Sequence, residues 1–113
     1  MKTEQPVLIT SIEAAEDLPK NVFINFAGYK ANDEICLGVC NADTDSGEEA
    51  PVTTYGIALV LSSASIGKAD FVKPTTDGKA VSVIGDPYAD PAIRGLALDI
   101  ATGADELIRI LLR

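Results

Sequence analysis

Glycine and proline residues interrupt this sequence at short intervals, and their spacing constrains the fold more than any other feature. The chain contains nine glycines and six prolines, and the segments between them are rich in Val, Ile, Thr, Phe and Leu. Short β-prone runs separated by turn residues are typical of all-β domains. We therefore predict a small sandwich or barrel of short antiparallel strands and hairpins, with at most one short helical turn.

In the first half of the chain, the pattern predicts four strands, over residues 7–12, 22–26, 35–40 and 51–61. One helical turn is predicted over Glu13–Asp17, with Ser11 at its N-cap and Pro19 as its stop. A bend is expected at Gly56 in the fourth strand. The third and fourth strands would form a hairpin around an acidic turn.

The third predicted strand has two different faces. Ile35, Leu37 and Val39 alternate with the small residues Cys36, Gly38 and Cys40. Small side chains allow another backbone or sheet to approach closely. Either a second sheet of this chain or a neighbouring molecule would cover that face, and we favour the former.

Residues 71–83 carry the clearest local signal in the sequence. Asp77-Gly78 lies between two β-prone runs, and a hairpin turn of type I′ needs positive φ at both central positions. Pro74 has no amide hydrogen for a ladder, so its arm is predicted at a sheet edge or a bulge. The prolines of Asp86–Pro91 predict a loop.

The C-terminal segment allows two interpretations. A helical stripe would place Leu107, Ile108, Leu111 and Leu112 on one face. Alternatively, Leu96, Leu98 and Ile100 alternate with Ala97 and Asp99, which is a strand pattern. Residues 102–105 would then form the turn to a second, C-terminal strand. We favour the hairpin because the preceding segments are all β-like.

Cys36 and Cys40 are the only cysteines. Four residues apart on a strand, their Cα atoms would be ~13 Å apart, whereas a disulfide requires less than ~7 Å. We predict two buried or half-buried thiols, with a disulfide to another chain as the alternative. A zinc site would need further soft ligands, and the sequence contains no histidine.

The net charge of −8 argues against nucleic acid and anionic membranes as partners. The longest apolar runs are too short to span a bilayer, and the N-terminus has no signal-peptide pattern. We therefore expect synthesis in a cytoplasm.

The acidic stretch Asn41–Ala50 superficially resembles a calcium loop. Starting at Asn41, oxygen-bearing side chains fall at positions 1, 3 and 5, but Ser46 stands where an EF-hand needs glycine and Val52 where it needs glutamate. We predict an exposed acidic hairpin tip without a metal. The alternative is a calcium- or carbohydrate-binding module that uses four acidic residues of this stretch: Asp43, Asp45, Glu48 and Glu49.

Catalytic signatures are lacking in the sequence. Without histidine, the commonest general base is missing. Lys68 follows Ser62–Ser65 without a recognised dyad spacing, and Gly67-Lys68-Ala69 is not a phosphate loop. We predict a non-enzymatic protein without cofactors.

Three segments together resemble the small capsid decoration (cement) proteins of tailed bacteriophages: GEEAPVTTYGIALV, SIGKADFVKPTTDGKAV and IRGLALDIATGADELIRILL. The resemblance covers roughly residues 35–113 and is a pattern of turns and apolar positions. It departs from the family at Ala69, where many relatives have glycine, and in the loop Asp86–Pro91. The base domain of a phage head fibre would look the same.

The resemblance implies a virion protein on the outer capsid surface, made in the bacterial host cytoplasm. It would bind the major capsid protein, form a homo-oligomer with a trimer favoured, and stabilise the expanded head. We expect a flexible arm over residues 1–6 and a single β domain over residues 7–113. The predicted capsid-binding residues are Thr3, Glu4, Gln5, Pro6, Val7 and Leu8.

Overall fold

The computed structural model of the protein describes residues 3–83 and 90–113. Within these residues lie eight strands and one short 3-10 helix, Thr76–Gly78. The strands are β1 (Gln5–Glu13), β2 (Phe23–Asn25), β3 (Cys36–Cys40), β4 (Glu49–Leu61), β5 (Phe71–Pro74), β6 (Ala80–Ser82), β7 (Gly95–Ala97) and β8 (Leu107–Leu112). The predicted all-β class is therefore confirmed.

The strands form one antiparallel sheet in the order β2-β3-β4-β8-β7-β5-β6, with β1 added to β4. The two ends of this sheet, β2 and the β5–β6 hairpin, approach each other. The loop between β5 and β6 places Gly78, at φ +74°, so close to β2 that a Cβ atom on it would lie 2.5 Å from the carbonyl oxygen of Phe23. The sheet thus curves into a nearly closed barrel.

Strand β4 holds the sheet together because it pairs with three other strands. Thr53 is paired with Ile9 of β1 and also with Val39 of β3. Gly56 is paired with Pro6 of β1 and also with the last residue of β8, Leu112. Since a residue has one neighbour on each side of its strand, β1 occupies one edge of β4. Strands β3 and β8 share the other edge.

The barrel interior is filled by aliphatic side chains and Phe23. Alternate residues of β8 point inward (Ile108, Ile110 and Leu112), as do Ala58 and Val60 of β4. A second apolar cluster, which includes Leu18, Ile24 and Cys40, lies on the other side of β2 and β3. Strands β2 and β3 are therefore packed on both faces.

The predicted small-residue face of β3 is not a single face: Cys36 packs with Val39 in the barrel interior, whereas Cys40 lies in the second apolar cluster. Both sides are covered by this chain itself. Cys36 and Cys40 are 3% and 0% exposed, and both thiols are free, so the predicted buried thiols are confirmed. The hydrogen of Gly38 faces the backbone of Thr53, so closely that a Cβ atom would collide with its carbonyl group.

The three predicted hairpins are confirmed. Strand β3 pairs with β4, β5 with β6 and β7 with β8, and the C-terminal segment is thus a strand and not a helix. Asp77 and Gly78 both have positive φ, as predicted, but they lie in the 3-10 helix within a five-residue connection between β5 and β6 and not in a two-residue turn. Most of the predicted loop Asp86–Pro91 lies outside the described residues.

Pro74 lies at a local edge of the sheet, as predicted. Strand β7 pairs with β5 at Phe71 and Val72, so within the described part of the chain β5 has no ladder partner on that side at Pro74. The absent amide hydrogen therefore costs no hydrogen bond in the sheet.

The helical turn predicted over Glu13–Asp17 is wrong. Glu13 is the last residue of β1, paired with Glu49, and Ser11 is also a strand residue. The amides of Ala14 and Ala15 donate to the carbonyl oxygens of Glu48 and Gly28, at 2.8 and 3.0 Å. These bonds to other parts of the chain replace the few that one isolated helical turn would form.

Candidate interaction surface

Strand β1 lies outside the barrel core and exposes apolar side chains. Leu8 is paired with Tyr55, and the register shifts on both sides of Leu8. Val7, Leu8 and Ile9 are 81%, 50% and 44% exposed, in a strand that is exposed along nearly its whole length. Three consecutive exposed apolar residues on one strand favour contact with another molecule.

The predicted capsid-binding residues Thr3–Leu8 include the first part of β1. Gln5 and Pro6, assigned from the sequence to the arm, are paired with Ile57 and Gly56 of β4. Gly56 has φ +103°, and a Cβ atom there would lie 2.5 Å from the carbonyl oxygen of Gln5. The glycine at the predicted bend therefore lets β1 lie directly against β4.

Glu4, just before β1, is bound to the start of the acidic stretch. With its amide nitrogen turned toward Glu4, Asn41 donates to both carboxylate oxygens, at 2.9 and 2.8 Å. This contact fixes the residue that precedes β1.

A depression of about 470 Å³ opens beside β1, and we call it the surface depression. Five separate segments of the chain line it. Four of its apolar or aromatic side chains are at least half exposed: Leu8, Phe26, Ile35 and Tyr55. The remaining lining residues are Thr10, Cys36, Leu37, Thr54, Pro91, Ile93 and Arg94.

Arg94 stabilises the wall of the surface depression through backbone carbonyl groups. Its Nη2 atom donates to the carbonyl oxygens of Thr54, at 2.5 Å, and Leu37, at 3.2 Å. Its Nη1 atom donates to the carbonyl oxygen of Arg113 at 2.8 Å. The guanidinium carbon also lies 5.7 Å from the centre of the Tyr55 ring, within range of a cation–π contact.

The position of Arg94 follows from the way β3 and β8 share one edge of β4. Strand β3 pairs with β4 at Val52 and Thr53, and β8 begins to pair at Gly56. Between these pairings, Thr54 has no strand partner on that edge among residues 3–83 and 90–113. The guanidinium group of Arg94 occupies this gap and satisfies carbonyl groups from both sides of it.

Cys36 lies at the floor of the surface depression. Burial raises the pKa of its thiol to about 12, opposed by the positive charge of Arg94 and supported by the negative charge of Glu34. The thiol is therefore protonated at neutral pH, and a protonated thiol is a poor nucleophile.

The acidic stretch is an exposed turn between β3 and β4, as predicted. Its backbone is held by carboxylates: Asp43 accepts from the amide of Lys20 at 2.8 Å, and Glu48 accepts from the amide of Asp45 at 3.2 Å. Across the part of the chain that the structure describes, no three His, Cys, Asp or Glu residues gather in a group suited to a metal ion. The same part contains no helix long and apolar enough to cross a membrane.

The sequence prediction placed a contact at Thr3–Leu8 but gave no indication that Val7–Ile9 are exposed, and it missed the surface depression. Its lining residues are distant in sequence, and only the pairing of β3 and β8 on one edge of β4 brings them together. One signal was available: Phe26, Ile35 and Tyr55 stand next to turns or polar residues, where large apolar side chains often remain exposed.

Comparison with known proteins adds evidence about the fold. No protein family model matches the sequence, and no curated protein matches it. Among solved structures, the N base of the head fibre protein gp8.5 of bacteriophage phi29 matches with a TM-score of 0.75. The two chains share a fold. The match covers 94% of this chain and 93% of the phi29 base, at 19% sequence identity.

Proposed function

We propose that this protein is a non-enzymatic structural component of a bacteriophage head. In this role it binds the outer surface of the major capsid protein shell and stabilises the expanded head. The observation that carries the proposal is the likeness to the phi29 head fibre base over nearly the full length of both chains. The resemblance of residues 35–113 to phage decoration proteins supports the same role independently.

The surface of the molecule suits binding to a large protein assembly. Its exposed apolar residues form broad patches on β1 and around the shallow surface depression. Broad apolar patches of this kind are typical of protein–protein contacts. We assign the capsid contact to Thr3–Leu8, with Val7 as its most exposed apolar side chain.

Assembly into a trimer would make weak individual contacts sufficient. Several copies joined by symmetry bind a lattice with an avidity far above the affinity of one copy. A partner of this kind requires no deep pocket on a single chain.

Co-sedimentation with expanded capsid shells lacking this protein tests the proposal. We expect the wild-type protein to bind, and Val7→Asp to bind at least tenfold more weakly because it places a charge in an apolar contact. Val7 is largely exposed, so the variant should remain folded. Ile100→Asp is the matched control: Ile100 is 58% exposed and lies away from β1, and this variant should bind normally. Absence of wild-type binding would refute the proposal.

A second candidate function is the base of a head fibre. The phi29 protein in the comparison is such a base, and this observation favours the same role here. Antibody labelling of purified virions distinguishes a decoration protein from a fibre base. A decoration protein would be labelled across the shell lattice, whereas a fibre base would be labelled at the foot of projecting fibres.

A further inference from the structure

Strand β1 lies at an edge of the sheet, and its pairing with β4 shows which way its backbone groups point. Pro51 lies opposite Ser11. The carbonyl oxygen of Pro51 accepts from the amide of Asn41, directly after β3, at 2.8 Å, so Pro51 faces the other edge of β4. Backbone groups alternate in direction along a strand, and the two residues of a pair match. The amide and carbonyl groups of Ser11, and of Ile9 two residues earlier, therefore point away from β4.

These outward groups form an open edge, which we define as Ile9–Ser11. Among residues 3–83 and 90–113, β1 pairs with β4 alone, and no other backbone group bonds to the outward groups of Ile9 or Ser11. Both residues are exposed. The open edge is short, because the register shifts at Leu8 and Gly28 lies against the carbonyl oxygen of Glu13. It offers two amides and two carbonyl groups in the spacing of a further strand.

The open edge lacks side chains that usually keep an edge strand from pairing. Protected edges carry lysine, proline or other charged residues, whereas residues 7–12 are VLITSI, without a charge or a proline. The register shifts at Leu8 affect only the start of this stretch. Val7 and Ile9 are 81% and 44% exposed. Unpaired main-chain groups flanked by apolar side chains bind an extended peptide by strand addition, so the edge selects an extended segment with apolar side chains.

A pair of like charges lies at the end of β1 that follows the open edge. Glu13 is paired with Glu49, and both are exposed. No lysine or arginine among the described residues forms an ion pair with either of them. Like charges directly opposite each other destabilise a sheet. A basic side chain at the adjoining end of an added strand would offset this repulsion, so charge complementarity gives the segment a lysine or arginine there.

We propose that an extended segment of the capsid shell protein adds to the open edge as a further strand, through main-chain hydrogen bonds to Ile9 and Ser11. A lysine or arginine of that segment lies against Glu13 and Glu49. This inference rests on the proposed function and extends the assigned contact from Thr3–Leu8 along β1. A second copy of this chain fits the edge less well. Two β1 edges would form a two-fold dimer and not the favoured trimer, and each copy carries a net charge of −8.

Hydrogen exchange in the wild-type protein tests the inference directly, with expanded shells that lack this protein as the probe. The amides of Thr10 and Ile12 face β4 and serve as internal controls. In the free protein we expect fast exchange at Ile9 and Ser11 and slow exchange at the controls. Shell binding should slow exchange at Ile9 and Ser11 at least tenfold. Unchanged fast exchange in the bound protein would overturn the inference. Slow exchange in the free protein would assign the edge to a second copy and also overturn it.

Ser11→Pro removes one outward amide and leaves the hydrogen bonds between β1 and β4 in place, so the variant should remain folded. We expect it to bind shells at least tenfold more weakly than the wild type in co-sedimentation. Ser11→Ala keeps the amide and should bind normally. Thermal unfolding would verify that both variants are folded. Normal binding of a folded Ser11→Pro protein would overturn the inference and leave the proposed function intact, whereas a wild-type protein that binds no shells would refute both.

Glu13→Gln tests the basic contact through opposite effects on stability and binding. Removal of one like charge should raise the midpoint of thermal unfolding by about 1–4 °C and weaken shell binding about two- to fivefold. Asp77→Asn is the matched control, because Asp77 is an exposed acid between β5 and β6, and it should bind normally. Unchanged binding of Glu13→Gln would overturn the basic contact, as would an equal loss of binding in both variants.

Discussion

The Nη2 atom of Arg94 lies 2.5 Å from the carbonyl oxygen of Thr54, at the point where β3 and β8 separate along β4. A side chain from the segment before β7 thus completes the hydrogen bonding of the central strand. Its own backbone is held on both sides, by the carbonyl oxygen of Val72 and the amide of Arg113, each at 2.9 Å. The wall of the surface depression depends on this one residue.

Replacement of Arg94 by leucine should lower the free energy of unfolding by about 2 kcal/mol. The change leaves the carbonyl groups of Leu37, Thr54 and Arg113 without their donor, and access of water to the depression limits the loss. Urea denaturation measures the effect. Lys20→Leu is the control, because Lys20 is exposed and its side chain makes no hydrogen bond to any described residue. Equal stability of the two variants would contradict the role given to Arg94.

Gly38→Ala should destabilise the protein by about 3 kcal/mol. The added methyl group would meet the backbone of Thr53, which cannot move aside without separating β3 from β4. Gly103→Ala is the matched control, since the nearest atom to its Cβ would be a flexible carboxylate oxygen of Glu106 at 3.8 Å. Thermal unfolding of both variants gives the comparison, and a stable Gly38→Ala protein would show that β3 is less tightly packed than described.

The buried thiol of Cys36 predicts a loss of stability in mild alkali. Its pKa is raised from 9.0 to about 12 by folding, so above pH 9 the unfolded chain releases a proton that the folded chain retains. Stability should therefore fall by about 1 kcal/mol between pH 9 and pH 10 from this group, because the unfolded thiol is only half ionised at pH 9, and the slope approaches about 1.4 kcal/mol for each pH unit above that range. The slope is best measured between about pH 9 and pH 10, below the titration of lysines. Cys36→Ala should remove this contribution. If the free energy of unfolding of the variant fell with pH as steeply as that of the wild type, Cys36 would not be the source of the effect.

Calcium should have no effect on thermal stability at millimolar concentration. Asp43 and Glu48 already accept hydrogen bonds from backbone amides, and among the described residues no three His, Cys, Asp or Glu residues form a group suited to a metal ion. The midpoint of unfolding should be the same with calcium and with a chelator, in both the wild type and Asp45→Ala. A calcium-dependent rise that Asp45→Ala abolishes would support the alternative of a calcium-binding module.

Local sequence signals predicted the hairpins well because each depends on neighbouring residues. The Asp77-Gly78 pair and the alternation around Leu96 need no knowledge of distant contacts. The helical turn predicted over Glu13–Asp17 was wrong because the structure there depends on residues that are distant in the sequence. There, the partners of the amides of Ala14 and Ala15 are Glu48 and Gly28, which local propensity cannot identify.

The surface depression could not be predicted for a similar reason. Leu8, Phe26, Ile35, Tyr55 and Arg94 come together only through the pairing of β1, β3 and β8 around β4. The sequence also gives no indication that Arg94 donates to backbone carbonyl groups, because such partners are present at every residue. Of the residues that line this surface, the sequence prediction named only Leu8, as the end of the predicted capsid-binding segment Thr3–Leu8.

The arrangement of β4 also has a consequence for synthesis. Its partners come from both ends of the chain: β1 begins at Gln5 and β8 ends at Leu112. A nascent chain that has left the ribosome only as far as β6 lacks both strands of the C-terminal hairpin. Such a chain cannot close the barrel, and β4 still exposes an unpaired edge. The barrel is therefore expected to close only once β8 has emerged from the ribosome, and until then the apolar residues of β4 are open to chaperones.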